Sequence, residues 1–129
     1  MAASALPSER VLIVDDDRRW RRLVRNLFES SSLVAECQDG ADAILGFRTL
    51  QPDWVIMDIA MEPIDGLTAA RRIKAEFPEA RIIFLTQFDD REFREEAARL
   101  GATAYVLKDD MEQVEAIIHG MPISASERS

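Results

Sequence analysis

Apolar residues in this chain fall into two alternating kinds of run. Val11-Leu12-Ile13-Val14, Leu33–Cys37, Trp54–Met57, Arg81–Leu85 and Ala104–Leu107 are short and mostly apolar, several of them rich in β-branched residues. Such runs, without strict alternation, predict strands covered on both faces, as in a parallel sheet. Between them, apolar residues recur every three or four positions. Trp20, Leu23, Val24, Leu27 and Phe28 predict an amphipathic helix whose outer face carries Arg18, Arg19, Arg21, Arg22 and Arg25. Ala43, Ile44 and Phe47 predict a second, shorter helix after Asp39-Gly40. Leu67, Ala70, Ile73, Lys74 and Phe77 predict a third before Pro78. Phe93, Ala97 and Leu100 predict a fourth, closed by Gly101. Met111, Val114, Ile117, Ile118 and Met121 predict a fifth, ended by Gly120 and Pro122.

Strand–helix units repeated in this order predict an α/β fold: a doubly wound (βα)5 three-layer sandwich with right-handed crossovers. A length of 129 residues suits one domain. Residues 1–10 are expected to be a disordered N-terminal segment, residues 11–121 the folded domain and residues 122–129 a flexible tail.

Composition acts mainly by exclusion. Sixteen Lys+Arg against 24 Asp+Glu leave a net charge of −8, which argues against nucleic-acid binding through bulk charge. A single cysteine, Cys37, excludes an intrachain disulfide and a cysteine-based zinc site, and a single histidine, His119, excludes a multi-histidine metal site. No apolar run approaches the roughly 20 residues of a membrane span. The first ten residues lack the basic and apolar regions of a signal peptide, so a cytoplasmic location away from the membrane is expected.

The positions of the polar residues are more informative. Asp15, Asp16 and Asp17 follow the first strand, Asp58 the third, Thr86 the fourth and Lys108 the fifth. All strands of a parallel sheet end on the same edge, so these residues converge there. Ligands of open α/β sheets bind at that edge, where strand order reverses. The second strand ends in Cys37-Gln38 and brings no comparable group, which fits an order of 2-1-3-4-5. Clustered carboxylates need a cation, and oxygen donors without His or Cys favour Mg²⁺, with Mn²⁺ as the alternative. A hydroxyl and an ammonium opposite them suit the oxygens of a phosphoryl group. Together these groups equip the edge for phosphoryl transfer, with a carboxylate available as nucleophile.

The segments VLIVDDD, PDWVIMDIAMEPIDGL, RIIFLTQFDD and GATAYVLKDD, in this order, resemble the receiver domain of bacterial two-component response regulators. The resemblance runs from Val11 to about Met121 and implies a flavodoxin-like sheet. It implies that Asp58 is the phosphoacceptor and that Asp15 and Asp16, with Asp58 and the backbone carbonyl of Ala60, hold the metal. It further implies Thr86 as switch hydroxyl, Lys108 as phosphate contact and Tyr105 as aromatic switch. Ala60 and Phe88 correspond to the two positions that flank the path of attacking water and tune dephosphorylation. The implied phosphoryl donor is a sensor histidine kinase or phosphotransfer protein. Homodimerisation on phosphorylation is a further expectation, and the downstream protein target stays open.

The sequence departs from the family pattern in three places. Pro63 comes one position late after the acceptor, Asp109 replaces a frequent proline after Lys108, and Gln87 stands where a small residue is common. A trans Lys108–Asp109 bond is therefore expected. Other readings cover parts of the same pattern. A receiver-fold scaffold would bind partners without phosphorylation. A haloacid-dehalogenase-like phosphohydrolase would use Asp15, but its motif places Thr or Val where Arg19 stands, and it leaves Asp58 idle. Asp17 reads as a helix cap, and Trp20 and Cys37 as packing residues. Tyr105 suits either the core or a switch. The arginines of the first helix suit either a solvated face or a partner surface.

Overall fold

The computed structural model describes residues 9–28 and 32–120. Five parallel strands, β1 (Glu9–Val14), β2 (Ser32–Cys37), β3 (Trp54–Met57), β4 (Ile82–Thr86) and β5 (Ala104–Leu107), form one sheet in the order β2-β1-β3-β4-β5. The helices are α1 (Arg18–Phe28), α2 (Gly40–Leu50), α3 (Gly66–Glu76), α4 (Arg91–Leu100) and α5 (Glu112–His119), with a 3-10 turn at Lys108–Asp110. The expected order and layering are those observed.

Strand periodicity divides the core in two. Leu12, Val14, Val55, Met57, Ile82 and Phe84 face α2, α3 and α4, against Phe47, Ala70, Ile73 and Ala97. Val11, Ile13, Ile56, Ile83, Leu85 and Val106 face α1 and α5, against Val24, Phe28, Val114 and Ile118. Both faces of β1, β3 and β4 are thus dry, which is why their sequences run apolar without alternation. At about 25 cal/mol per Å² of apolar surface, each fully buried Leu, Ile or Phe contributes on the order of 2 kcal/mol.

Helix ends follow local chemistry. The carboxylates of Asp39, Asp65 and Asp90 accept from the backbone N–H of Asp42, Thr68 and Phe93 and so cap α2, α3 and α4. Gly101, at φ 92°, terminates α4 in the left-handed conformation that a Cβ disfavours.

Three expectations need correction. Glu9 and Arg10 are not a disordered lead-in: they extend β1, in register with Ser32 and Leu33. The Asp53 carboxylate accepts from the Arg10 N–H at 2.7 Å, which ties this start down. Residues 1–8, Met121 and the expected tail lie outside the described residues. Leu23 is not part of the buried stripe, being 46% exposed, because Val24 and Phe28 suffice to close α1 on the sheet. Trp20 leaves that stripe as well, because its ring turns toward Lys108 at the sheet edge. The Lys108–Asp109 bond is trans as expected, and the one cis bond among the described residues is Glu62–Pro63.

Candidate functional site

The C-terminal ends of β1, β3, β4 and β5 open into a cleft of about 170 Å³ lined by Asp15, Asp16, Asp17, Trp20, Asp58, Ala60, Gln87, Phe88 and Lys108. Backbone pairing fixes its floor. The Asp58 N–H donates to the Val14 carbonyl at 2.9 Å, and the Asp15 N–H to the Cys37 carbonyl at 3.1 Å. The loop after β3 returns so tightly that a Cβ on Gly66 would lie 2.0 Å from the Asp58 carbonyl oxygen. Only glycine permits α3 to start there, and its N–H donates to the Ile59 carbonyl at 2.8 Å.

Lys108 is the centre of the charge arrangement. Its Nζ lies 2.8 Å from Asp15 Oδ2 and 3.2 Å from Asp58 Oδ2, with all three side chains nearly buried. Asp58 Oδ1 accepts from the Ile59 N–H at 2.7 Å. Asp15 Oδ1 accepts from the Asp17 N–H at 2.9 Å. Burial nonetheless pushes the Asp15 carboxyl above its usual range, against the lowering effect of Lys108 and of the Asp17 N–H.

Asp15, Asp16 and Asp58 present carboxylate oxygens within 4.8 Å of one another. One lysine leaves this trio with a net negative charge, and no His or Cys joins the cluster. The donor set fits a hard divalent cation such as Mg²⁺. Asp17 stands apart as a cap: its Oδ1 accepts from the Arg19 N–H at 2.8 Å. The hydrogen bond from the Arg19 guanidinium holds the Asp17 carboxyl below its usual range.

Thr86 is the last residue of β4 and fully buried, and its hydroxyl oxygen accepts from the Phe88 N–H at 3.3 Å. Tyr105 is half-buried on β5 and donates its hydroxyl to the Phe88 carbonyl at 2.5 Å. The Arg94 guanidinium covers its ring at 4.6 Å. Burial raises the Tyr105 phenol above its ordinary range, so it remains a donor at neutral pH. Thr86 and Tyr105 therefore grip the same loop residue from two strands. Phe88, 47% exposed, packs edge-on against Phe93.

Two contributors escaped the sequence reading. Trp20 turns from the core to the cleft, its ring centroid 4.7 Å from Lys108 Nζ. Arg21 donates to the Asp15 carbonyl at 2.6 Å and pairs with Glu36 at 2.9 Å, tying α1 and β2 to the acidic loop. No periodicity separates Arg21 from its four neighbours. Cys37 sits half-buried at the end of β2, as expected of a packing residue, and burial pushes its thiol up to about 11. His119 packs edge-on against Phe28 at the end of α5, away from the cleft.

The model of the response regulator receiver domain family matches residues 11–119. Over 103 residues the chain is 36% identical to the oxygen regulatory protein NreC of Staphylococcus haemolyticus, covering 77% of this chain and 48% of that protein. It is 33% identical to the chemotaxis protein CheY of Bacillus subtilis, covering 78% of this chain and 86% of CheY. The chain thus spans about half the length of NreC and most of CheY. Among solved structures, a LuxR-family two-component response regulator from Aurantimonas sp. SI85-9A1 superposes with a TM-score of 0.79 at 30% identity. That match covers 93% of this chain and 91% of the other.

Proposed function

Since this chain belongs to the response regulator receiver domain family, we propose that it takes a phosphoryl group onto Asp58 from the phosphohistidine of a sensor kinase or phosphotransfer protein. The observation that carries this reading is the convergence of Asp15, Asp16, Asp58 and Lys108 at one sheet edge. The Asp58 carboxylate attacks phosphorus, the bond from phosphorus to the donor breaks, and an acyl phosphate results. Asp15, Asp16 and Asp58, with the Ala60 carbonyl, would hold Mg²⁺. When bound, that ion neutralises charge on the phosphoryl oxygens. Lys108 contributes an ammonium already within reach of Asp58. The chemistry is confined to the protein's own phosphorylation and dephosphorylation, in a signalling domain rather than an enzyme acting on substrates.

The output follows from the grip on the loop after β4. A phosphoryl oxygen at Asp58 would accept from the Thr86 hydroxyl, and turning that side chain toward it draws its oxygen away from the Phe88 N–H. Releasing that N–H loosens the loop that Tyr105 also holds, and the surface of α4, β5 and α5 shifts between two arrangements. That surface is where a downstream protein or a second phosphorylated copy would dock. No described helix is long and apolar enough to cross a membrane.

Incubation with acetyl phosphate and Mg²⁺, followed by intact-mass measurement, tests the reading. Stable addition of one phosphoryl group, lost in Asp58→Asn, is the expected result. Turnover that depends on Asp15 would indicate the phosphohydrolase chemistry, and no uptake would indicate a scaffold.

A further inference from the structure

Phosphoryl transfer of this kind uses Lys108 as a charge, and that charge has to stay on the Asp58 side. A lysine ammonium sits on a flexible four-carbon stem and goes where its partners pull it. Here the stronger pull is away from the acceptor: Asp15 lies at 2.8 Å and Asp58 at 3.2 Å. Trp20, in the first turn of α1, supplies a further neighbour. Its ring centroid lies 4.7 Å from Lys108 Nζ, inside the roughly 6 Å range of a cation–π contact, and the Lys108 side chain is only 4% exposed. Tryptophan is the strongest aromatic partner for a cation, and desolvation strengthens the contact. It is also uncharged, so it restrains the ammonium without competing for it as a third carboxylate would.

We propose that Trp20 is a positioning residue, whose indole face holds the Lys108 ammonium where it can meet a phosphoryl group on Asp58. The inference rests on the acceptor reading above. In transfer from acetyl phosphate, an Asp58 oxygen bonds to phosphorus, the bond from phosphorus to the acetyl oxygen breaks, and acetate leaves with the electron pair. Lys108 steadies the charge on the transferring group, and Trp20 acts only through Lys108.

A double-mutant cycle tests this. Phosphorylation by acetyl phosphate with saturating Mg²⁺ is followed by intact mass in four proteins: wild type, Trp20→Leu, Lys108→Met and the double variant. Trp20→Leu should slow uptake about fivefold in the wild-type background and less than twofold in Lys108→Met. Trp20→Phe, which keeps a π face, should stay within about twofold of wild type. Thermal melts of the same four proteins without metal or donor give a readout independent of chemistry. There the two substitutions should be non-additive by about 3 °C. Equal slowing in both backgrounds, additive melts, or a Trp20→Phe protein as slow as Trp20→Leu would overturn the role of Trp20 alone. A wild-type protein that takes up no phosphoryl group would overturn the acceptor reading, and this inference with it.

Discussion

Replacing Asp16 by Asn removes one of three mutually repelling carboxylates without changing side-chain size. Asp15 and Asp58 share the Lys108 ammonium, whereas no described cation pairs with Asp16, which is exposed. The three carboxylates lie within 4.8 Å of one another, so the net unpaired repulsion on Asp16 is about 1 kcal/mol at the dielectric of exposed groups. In the metal-free protein Asp16→Asn should therefore raise the melting temperature, by about 3 °C for a domain of this size. Metal should reverse the ranking. A ligand at a hundred times its Kd stabilises by about 2.7 kcal/mol, which here amounts to roughly 8 °C. Asp16→Asn has lost a donor and should keep less than a third of that gain. Melts in EDTA and across a Mg²⁺ titration, at constant ionic strength, measure both effects. A metal-free variant that melts below wild type, or a variant with an undiminished Mg²⁺ shift, would refute the reasoning.

Three further outcomes follow from particular contacts. Gly66→Ala places a Cβ 2.0 Å from the Asp58 carbonyl oxygen, against backbone that cannot yield, so it should cost about 3 kcal/mol or more, read as a drop of roughly 10 °C in Tm. Ala60→Asn with Phe88→Glu introduces groups that hydrogen-bond water beside the acceptor and should shorten the lifetime of the phosphorylated form; equal decay in wild type and variant would remove these positions from control of the water. Hydrogen bonds from Arg25 and Arg21 outweigh burial and hold the Glu36 carboxyl below its usual 4.5, so its stabilisation exists above that pH and is lost as pH falls through the lowered value. Glu36→Gln should accordingly melt below wild type at pH 7, and the gap should narrow as pH falls below the usual 4.5.

Much of the fold was legible because β1, β3 and β4 are dry on both faces, which writes uninterrupted apolar runs into the sequence. The site was legible for a related reason. Charged residues directly after such runs have no structural purpose in the core, and parallel strands bring their ends together. What stayed hidden depends on single side-chain directions. Trp20 has helical spacing with Val24, yet the first turn of α1 lies at the sheet edge, where that face meets Lys108 rather than the core. Arg21 looks like its neighbours until β2 places Glu36 opposite it. Leu23 satisfies the periodicity and is exposed all the same, because a helix on one side of a sheet needs only a narrow buried stripe. Glu9 and Arg10 carry no strand signal of their own and are ordered by Ser32, Leu33 and Asp53 across the chain.

The central claim is that Asp58 carries the phosphoryl group, and mapping the modified residue tests it directly. After incubation with acetyl phosphate and Mg²⁺, borohydride reduction converts an aspartyl phosphate to homoserine, which peptide mass spectrometry places in the sequence. Homoserine at position 58 alone, and none in Asp58→Asn, is the predicted result. Homoserine at position 15 or 16, or full phosphorylation of an Asp58→Ala protein, would contradict it.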